Sequence, residues 1–239
     1  MIRLRQGDMR QVLQDLPAAC VDLIVADPPY GQTSLVWDKV VAGWTGYAKR
    51  VLKPTGSMWV FGTLRHFMKN AAEFSGWKLS HEVVWEKHNG TGLFRDRFRN
   101  VHETAAHFYK AESKWSDVFK NPLFSADATA RVVRKKQRPA HWIGATGPTI
   151  YESQDGGPRL MRSVILARSM HGSALHPTEK PQDLLDLLIR YACPVGGVVL
   201  DPFAGSGSTG LAAHAYGCEA LLVEANAIYA EIIRQRIAA

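Results

Sequence analysis

Cysteine is scarce, and long apolar runs are missing. The 239 residues hold three cysteines, Cys20, Cys193 and Cys218. Their number is odd and their spacing suits no metal site, which argues against a disulfide scaffold and for a reducing cytoplasm. No run of about 18 apolar residues proposes a membrane span. The opening MIRLRQGDMR has no apolar stretch of the secretory kind, so no signal peptide is expected. There is no G-x-x-x-x-G-K-[ST] loop for a nucleoside triphosphate and no G-x-G-x-x-G dinucleotide fingerprint. Internal repeats and low-complexity tracts are also missing.

Excess acid is lacking too: the net charge is +7. Residues 86–175 contain 15 Lys/Arg against 8 Asp/Glu, while the rest of the chain has 14 of each. All the positive excess therefore sits in one middle segment. Positive charge confined in this way points to a polyanion, most simply nucleic acid. Two clusters stand out as contacts for such a polyanion: Arg95, Arg97 and Arg99 in RDRFR, which would share one face of a strand, and Lys135, Lys136 and Arg138. The competing reading of each is a solvated loop. Trp115 and Trp142 could fill the gap beside an extruded base, but small-core packing is the better reading.

What the sequence does contain is alternation. IRLR reads as a strand, MRQVLQDLP as a helix, VDLIVADPP as a buried strand, and residues 40–52 as a helix ending in a Lys53–Gly56 turn. SMWVFG is a strand, residues 64–75 helical, KLSHEVVWEK a strand, and HETAAHFYK a further strand, antiparallel to its neighbours. Residues 111–170 show no clear period. Order returns with a helix over 180–192, the strand VVLDP, the helix STGLAAHAYG, the strand ALLVEA and a closing helix IYAEIIRQRI. Strands alternating with helices predict an α/β fold, a mostly parallel sheet with helices on both faces. Ligands of such sheets bind beyond the carboxyl ends of the strands. Asp27, Asp201 and Glu224 end strands there, and Asp8 follows the first strand.

Two stretches carry chemistry. In VVLDPFAGSGSTG a buried strand runs into a small-residue loop and then a helix, and Glu224 closes the next strand. An acid roughly 20 residues beyond such a loop suits ribose hydroxyls. Without a pyrophosphate-type glycine spacing, the cofactor expected is S-adenosylmethionine. In Asp27-Pro28-Pro29-Tyr30 the prolines fix φ and have no N–H, so their carbonyls stand as acceptors beside the carboxylate. Acceptors next to an aromatic ring suit a planar base with an exocyclic amino group, as when a base leaves its stack.

DPPY at 27–30, HPTEKP at 176–181 and DPFAGSG at 201–207 together resemble the amino-methylating DNA methyltransferases, and their order is that of the β group. GDMRQVLQDLP, WVFG, VVWEK and HETAAHFYK are smaller echoes. The resemblance implies a Rossmann-like methyltransferase fold with circularly permuted motif order. Residues 1–110 and 172–239 would be catalytic, with 111–171 an inserted target-recognition region. It further implies that Phe203, Ala204, Gly205, Ser206 and Gly207 wrap the methionine part of S-adenosylmethionine, with Asp201 nearby. Glu224 would take the ribose, and Asp8 the adenine or ribose. Thr178 and Lys180 would lie by the cofactor's carboxylate end, and Asp27 would border the cofactor as well as the base. Asp27 and the Pro28 carbonyl would hold the target amino group, with Pro29 stiffening the corner and Tyr30 stacked on the base. In this family an aspartate in the first position goes with adenine and a serine with cytosine. Double-stranded DNA is the expected partner, no metal is required, a homodimer is left open, and any restriction nuclease would be a separate chain.

Rival readings fare worse. Carbon-5 cytosine methylation needs a Pro-Cys step, whereas Cys193-Pro194 has the reverse order. His102-Glu103-Thr104-Ala105-Ala106-His107 is one residue too long for the H-E-x-x-H zinc motif. Protein glutamine methylation goes with Asn in place of Asp27. Cytosine-N4 methylation and a non-catalytic DNA-binding relative are the readings kept alongside adenine-N6.

Overall fold

The near-continuous apolar run Val21–Ala26 decides the architecture. Leu23 and Val25 face one core cluster, with Trp59 and Phe61; Ile24 and Ala26 face another, with Met58 and Val60. A strand buried on both faces needs helices on both sides. A computed structural model of the chain describes residues 1–31, 35, 38–91, 95–134, 150–170, 172 and 174–238.

The elements in chain order are β1 (Ile2–Gln6), α1 (Met9–Gln14), β2 (Val21–Ala26), α2 (Trp44–Val51), β3 (Leu52–Gly62), α3 (Leu64–Lys69), β4 (Trp77–Thr91) and β5 (Asn100–Lys110). Four short strands follow: β6 (Phe124–Ser125), β7 (Arg131–Arg134), β8 (Ile150–Ser153) and β9 (Arg159–Leu160). Then come β10 (Val164–Leu166), α4 (Gln182–Ala192), β11 (Val198–Asp201), α5 (Ser208–Ala215), β12 (Glu219–Glu224) and α6 (Ala227–Ala238).

The chain divides into two compact units, residues 1–121 with 163–239, and residues 122–162. The first holds an eight-stranded sheet in the order β1-β12-β11-β2-β3-β5-β4-β10. Every neighbouring pair in it is parallel except those made by β5, which is antiparallel to both β3 and β4. Leu184, Leu188, Ala212 and Ala213 of α4 and α5 cover one face; Met9, Leu13, Ala48 and Val51 of α1 and α2 cover the other. The Trp59 indole also donates to the Leu188 carbonyl at 3.1 Å, satisfying a buried donor. The second unit contains two antiparallel pairs, β6 with β9 and β7 with β8.

Three sequence expectations are corrected. Lys53–Gly56 is not a free turn but a bulge within β3: the register passes from Val21↔Leu52 to Leu23↔Ser57. Gly56 is required there, because a Cβ would sit 2.6 Å from the Asp22 carbonyl oxygen. The helix expected over 64–75 breaks at Asn70, and a 3-10 turn, Ala71–Phe74, follows. Arg95–Arg99 is no strand; it lies in the connection between β4 and β5, exposed throughout. HETAAHFYK is a strand, so His102 and His107, five residues apart, face opposite sides of β5. His107 is wholly buried, and burial first, then the nearby His81 charge, pushes it down to about 3. Trp115 packs against His107 and Tyr109. Trp142 lies outside the described residues. None of the described helices is long and apolar enough to cross a membrane.

Candidate active site

The connection after β2 runs toward β3 on one side; that after β11 runs toward β12 on the other. The strand order therefore reverses between β11 and β2, and a crevice opens at such a point. Asp27 directly follows β2, while Asp201 and Glu224 are the last residues of β11 and β12. A cavity of about 210 Å³ lies here. Asp8, Asp27, Pro28, Pro29, Tyr30, Thr178, Lys180, Asp201, Phe203, Ala204, Gly205, Ser206 and Glu224 all line it.

The loop after β11 folds back over the end of β12. Ala204 N–H donates to the Val223 carbonyl at 2.9 Å, and Gly205 N–H to Glu224 Oε2 at 2.8 Å. Asn226 N–H donates to Glu224 Oε1 at 2.8 Å. Burial raises the Glu224 carboxyl above its ordinary range, against these backbone hydrogen bonds. Gly205 has φ 53°, and a Cβ on it would lie 3.2 Å from the His176 ring. Gly205→Ala should therefore cost about 1–2 kcal/mol, read as a lower unfolding midpoint in urea. An unchanged midpoint would mean the loop relaxes freely. Gly207 serves the turn: it precedes α5 with φ 81°, and a Cβ would press on Ile233 at 3.1 Å.

Asp201 is the most deeply buried of the acids. Burial drives its carboxyl up to about 7, with the Asp27 and Glu224 charges adding to the push; hydrogen bonds from Thr209 and Phe203 N–H oppose it. Asp8 caps α1 by accepting from Arg10 N–H at 2.8 Å. Its hydrogen bond and ion pair with the Arg10 guanidinium hold the carboxyl below the usual range.

Asp27 is held from both sides. The Tyr30 hydroxyl donates to Oδ1 at 2.6 Å, and Lys180 Nζ donates to Oδ2 at 2.5 Å. Burial raises the Tyr30 phenol well above its ordinary value, and the Asp27 and Glu103 charges add to this, so it remains a donor. Lys180 is buried; burial alone would lower its pKa, but Asp27 and Glu103 outweigh that and raise it. Lys180, expected at the cofactor's carboxylate end, is therefore bound into the carboxylate corner.

Glu103 and Lys87 were missed from the sequence. Glu103 Oε2 lies 3.5 Å from Lys180 Nζ, and Lys87 pairs with Oε1. Burial pushes the Glu103 carboxyl up, yet the two ammonium groups overcome it and its pKa is lowered. The two side chains come from facing stretches of β4 and β5, where Trp85 is opposite Glu103. Glu179 and Arg236 were missed as well. Arg236 bonds Glu179 Oε1 at 3.0 Å and the Ser206 carbonyl at 2.8 Å, and Ser208 donates to the same Glu179 oxygen at 2.7 Å. HPTEKP is thereby pinned to the loop at the start of α5. Arg95, Arg97 and Arg99 are exposed, with Arg97 paired to Asp96. Lys135, Lys136 and Arg138 lie outside the described residues.

The crevice at the reversal point thus brings Glu224 and the Gly205 loop together with the Asp27 carboxylate on its proline corner. The fold matches M1.HpyAVI, solved as a SAM complex, with a TM-score of 0.67 at 23% identity over 99% of this chain and 100% of that one. It matches the cytosine-N4-specific PvuII DNA methyltransferase with a TM-score of 0.69 at 15% identity, over 98% and 86% of the two chains. Residues 21–235 match the DNA methylase family of the N6/N4 type, and the chain belongs to that family. It is 26% identical to the type II methyltransferase M2.DpnII of Streptococcus pneumoniae, across 99% of this chain and 89% of that protein.

Proposed function

We propose that this chain methylates the exocyclic N6 amino group of adenine in duplex DNA, with the target base turned out of the helix. The observation that carries this is the Asp27–Tyr30 corner sharing one cavity with Glu224 and the Gly205 loop. Aspartate rather than serine at position 27 favours adenine over cytosine. The methyl donor is S-adenosylmethionine, which supplies an electrophilic sulfonium methyl group.

The residues fit that donor. Each Glu224 oxygen accepts one backbone N–H, and a carboxylate oxygen has a second lone pair, so both can still take a ribose hydroxyl. The loop from Ala204 to Ser206 has no bulky side chain, so its backbone can approach the methionine portion closely. Thr178 and Lys180 border the same cavity.

Asp27 acts on the acceptor. The lone pair of an exocyclic amino nitrogen is delocalised into its ring. Hydrogen bonds from its two hydrogens to Asp27 and to the Pro28 carbonyl favour a pyramidal nitrogen and direct the lone pair at the methyl carbon. Asp27 also offsets the positive charge that grows on nitrogen as the bond forms. Alignment of the two reacting groups supplies much of the remainder. The Tyr30 hydroxyl now fills the Oδ1 acceptor that the amino group would take. On binding, Tyr30 gives up that contact and stacks its ring on the base. No covalent enzyme intermediate is needed.

Phosphate contacts come from the basic middle segment, Arg95, Arg97 and Arg99 included. Incubating the protein with labelled S-adenosylmethionine and unmethylated duplex DNA, then separating the nucleosides by mass spectrometry, should give N6-methyladenine. N4-methylcytosine would keep the mechanism and overturn the base. Absence of any methylated nucleoside would overturn the reading itself.

A further inference from the structure

Phe98 is 101% exposed. Single exposed apolar residues are ordinary, but the placement of this one is not. It lies between Arg97 and Arg99 in the connection from β4 to β5, and register shows where that connection goes. Ala26, next to Asp27, is level with Val60 of β3, and Val60 is opposite Ala106 of β5. Asn100, where β5 begins, is six residues beyond Ala106 on the side of the sheet edge that bears Asp27. At about 3.3 Å per residue, Asn100 lies roughly 20 Å beyond the level of Ala26 along the strand direction.

The base of the hairpin is joined to the catalytic corner. A second cavity, of about 760 Å³, is lined by Asn89, Arg99 and Glu103 of the hairpin and shares Thr178 and Lys180 with the first. Gly90 leaves room for the Arg99 side chain, which a Cβ there would strike. The arm thus combines a two-stranded stem, guanidinium groups suited to phosphates, and one fully exposed apolar ring.

From this we infer that Phe98 is a wedge: it enters the base stack at the position the target nucleotide vacates, while Arg95 and Arg99 meet the flanking phosphates. Apolar side chains inserted at a base step offset the cost of unstacking. Trp115, the other described candidate for such a role, packs into the aromatic cluster around His107. The inference rests on the proposed DNA methylation and names the residue that assists extrusion.

The test uses a duplex carrying the site found by sequencing wild-type-methylated DNA, and the same duplex with the partner of the target base removed. A base without a partner leaves the stack at less cost. Phe98→Ala should lower kcat/KM at least about tenfold on the paired duplex and restore most of that loss on the unpaired one, with the melting temperature unchanged. Equal loss on both duplexes, or none on either, would overturn the wedge. A wild-type protein that methylates no DNA would overturn the underlying reading and the wedge with it.

Discussion

Asp27→Ala should abolish methyl transfer, by at least about 10³-fold, and leave the affinity for S-adenosylmethionine within about threefold. The asymmetry follows from what Asp27 touches. Its two oxygens face Tyr30 and Lys180, whereas the opposite wall of the cavity is built by Gly205, Glu224 and Asn226 through their own hydrogen bonds, and in the proposed mechanism that wall binds the donor. In the proposed mechanism, removing Asp27 deletes the acceptor that shapes the amino nitrogen and the charge that offsets the transition state. Donor binding is left to the other wall. Stability should fall by about 1–3 kcal/mol, because the Tyr30 hydroxyl loses its acceptor, while Lys180 keeps Glu103 as a carboxylate partner at 3.5 Å. The measurement pairs a labelled-methyl assay with calorimetric titration of the cofactor. Loss of both activities in a folded variant would move Asp27 to the donor side; retained transfer would remove it from the mechanism.

The corner was legible because it is local. A buried strand ending in Asp27-Pro28-Pro29-Tyr30, and another ending in Asp201 before small residues, place acids at a sheet edge without knowledge of strand order. The two-faced parallel sheet followed from the same alternation. Residues whose roles depend on distant pairing were not legible. Lys180 reaches Asp27 across 153 positions of sequence. Lys87 and Glu103 meet only because β4 and β5 pair side by side in the sheet, and Glu103 sat within a stretch weighed for metal spacing. β10 is three residues long, in a segment with no period of its own, and joins the sheet only by pairing with β4. The Lys53–Gly56 stretch has turn composition, yet tertiary pairing absorbs it as a bulge. RDRFR has strand-like alternation, but its residues are all exposed, so no buried face enforces a strand.

Lys180→Met should destabilise the protein by about 3 kcal/mol at neutral pH, a fall of roughly 6–12 °C in melting temperature for a chain of this size. The Lys180 side chain is 8% exposed, and its ammonium contacts the carboxylates of Asp27 and Glu103, whose side chains are 18% and 19% exposed. Methionine fills similar space but leaves two carboxylates facing each other with less compensation; Lys87 and Tyr30 remain. The sign with pH can be worked out from Glu103, whose folded pKa is depressed. A depressed acid contributes stability above its unfolded value, near 4.5, and loses that contribution as pH falls through the folded value. The gap between wild type and Lys180→Met should therefore be widest at neutral pH and close toward pH 4 and below. Adding Glu103→Gln to the lysine variant should recover part of the loss by removing one unpaired charge, a coupling that a double-mutant cycle reads directly. A gap that stays constant with pH, or a double variant no more stable than Lys180→Met, would mean that packing of the lysine stem, and not its charge, holds the corner together.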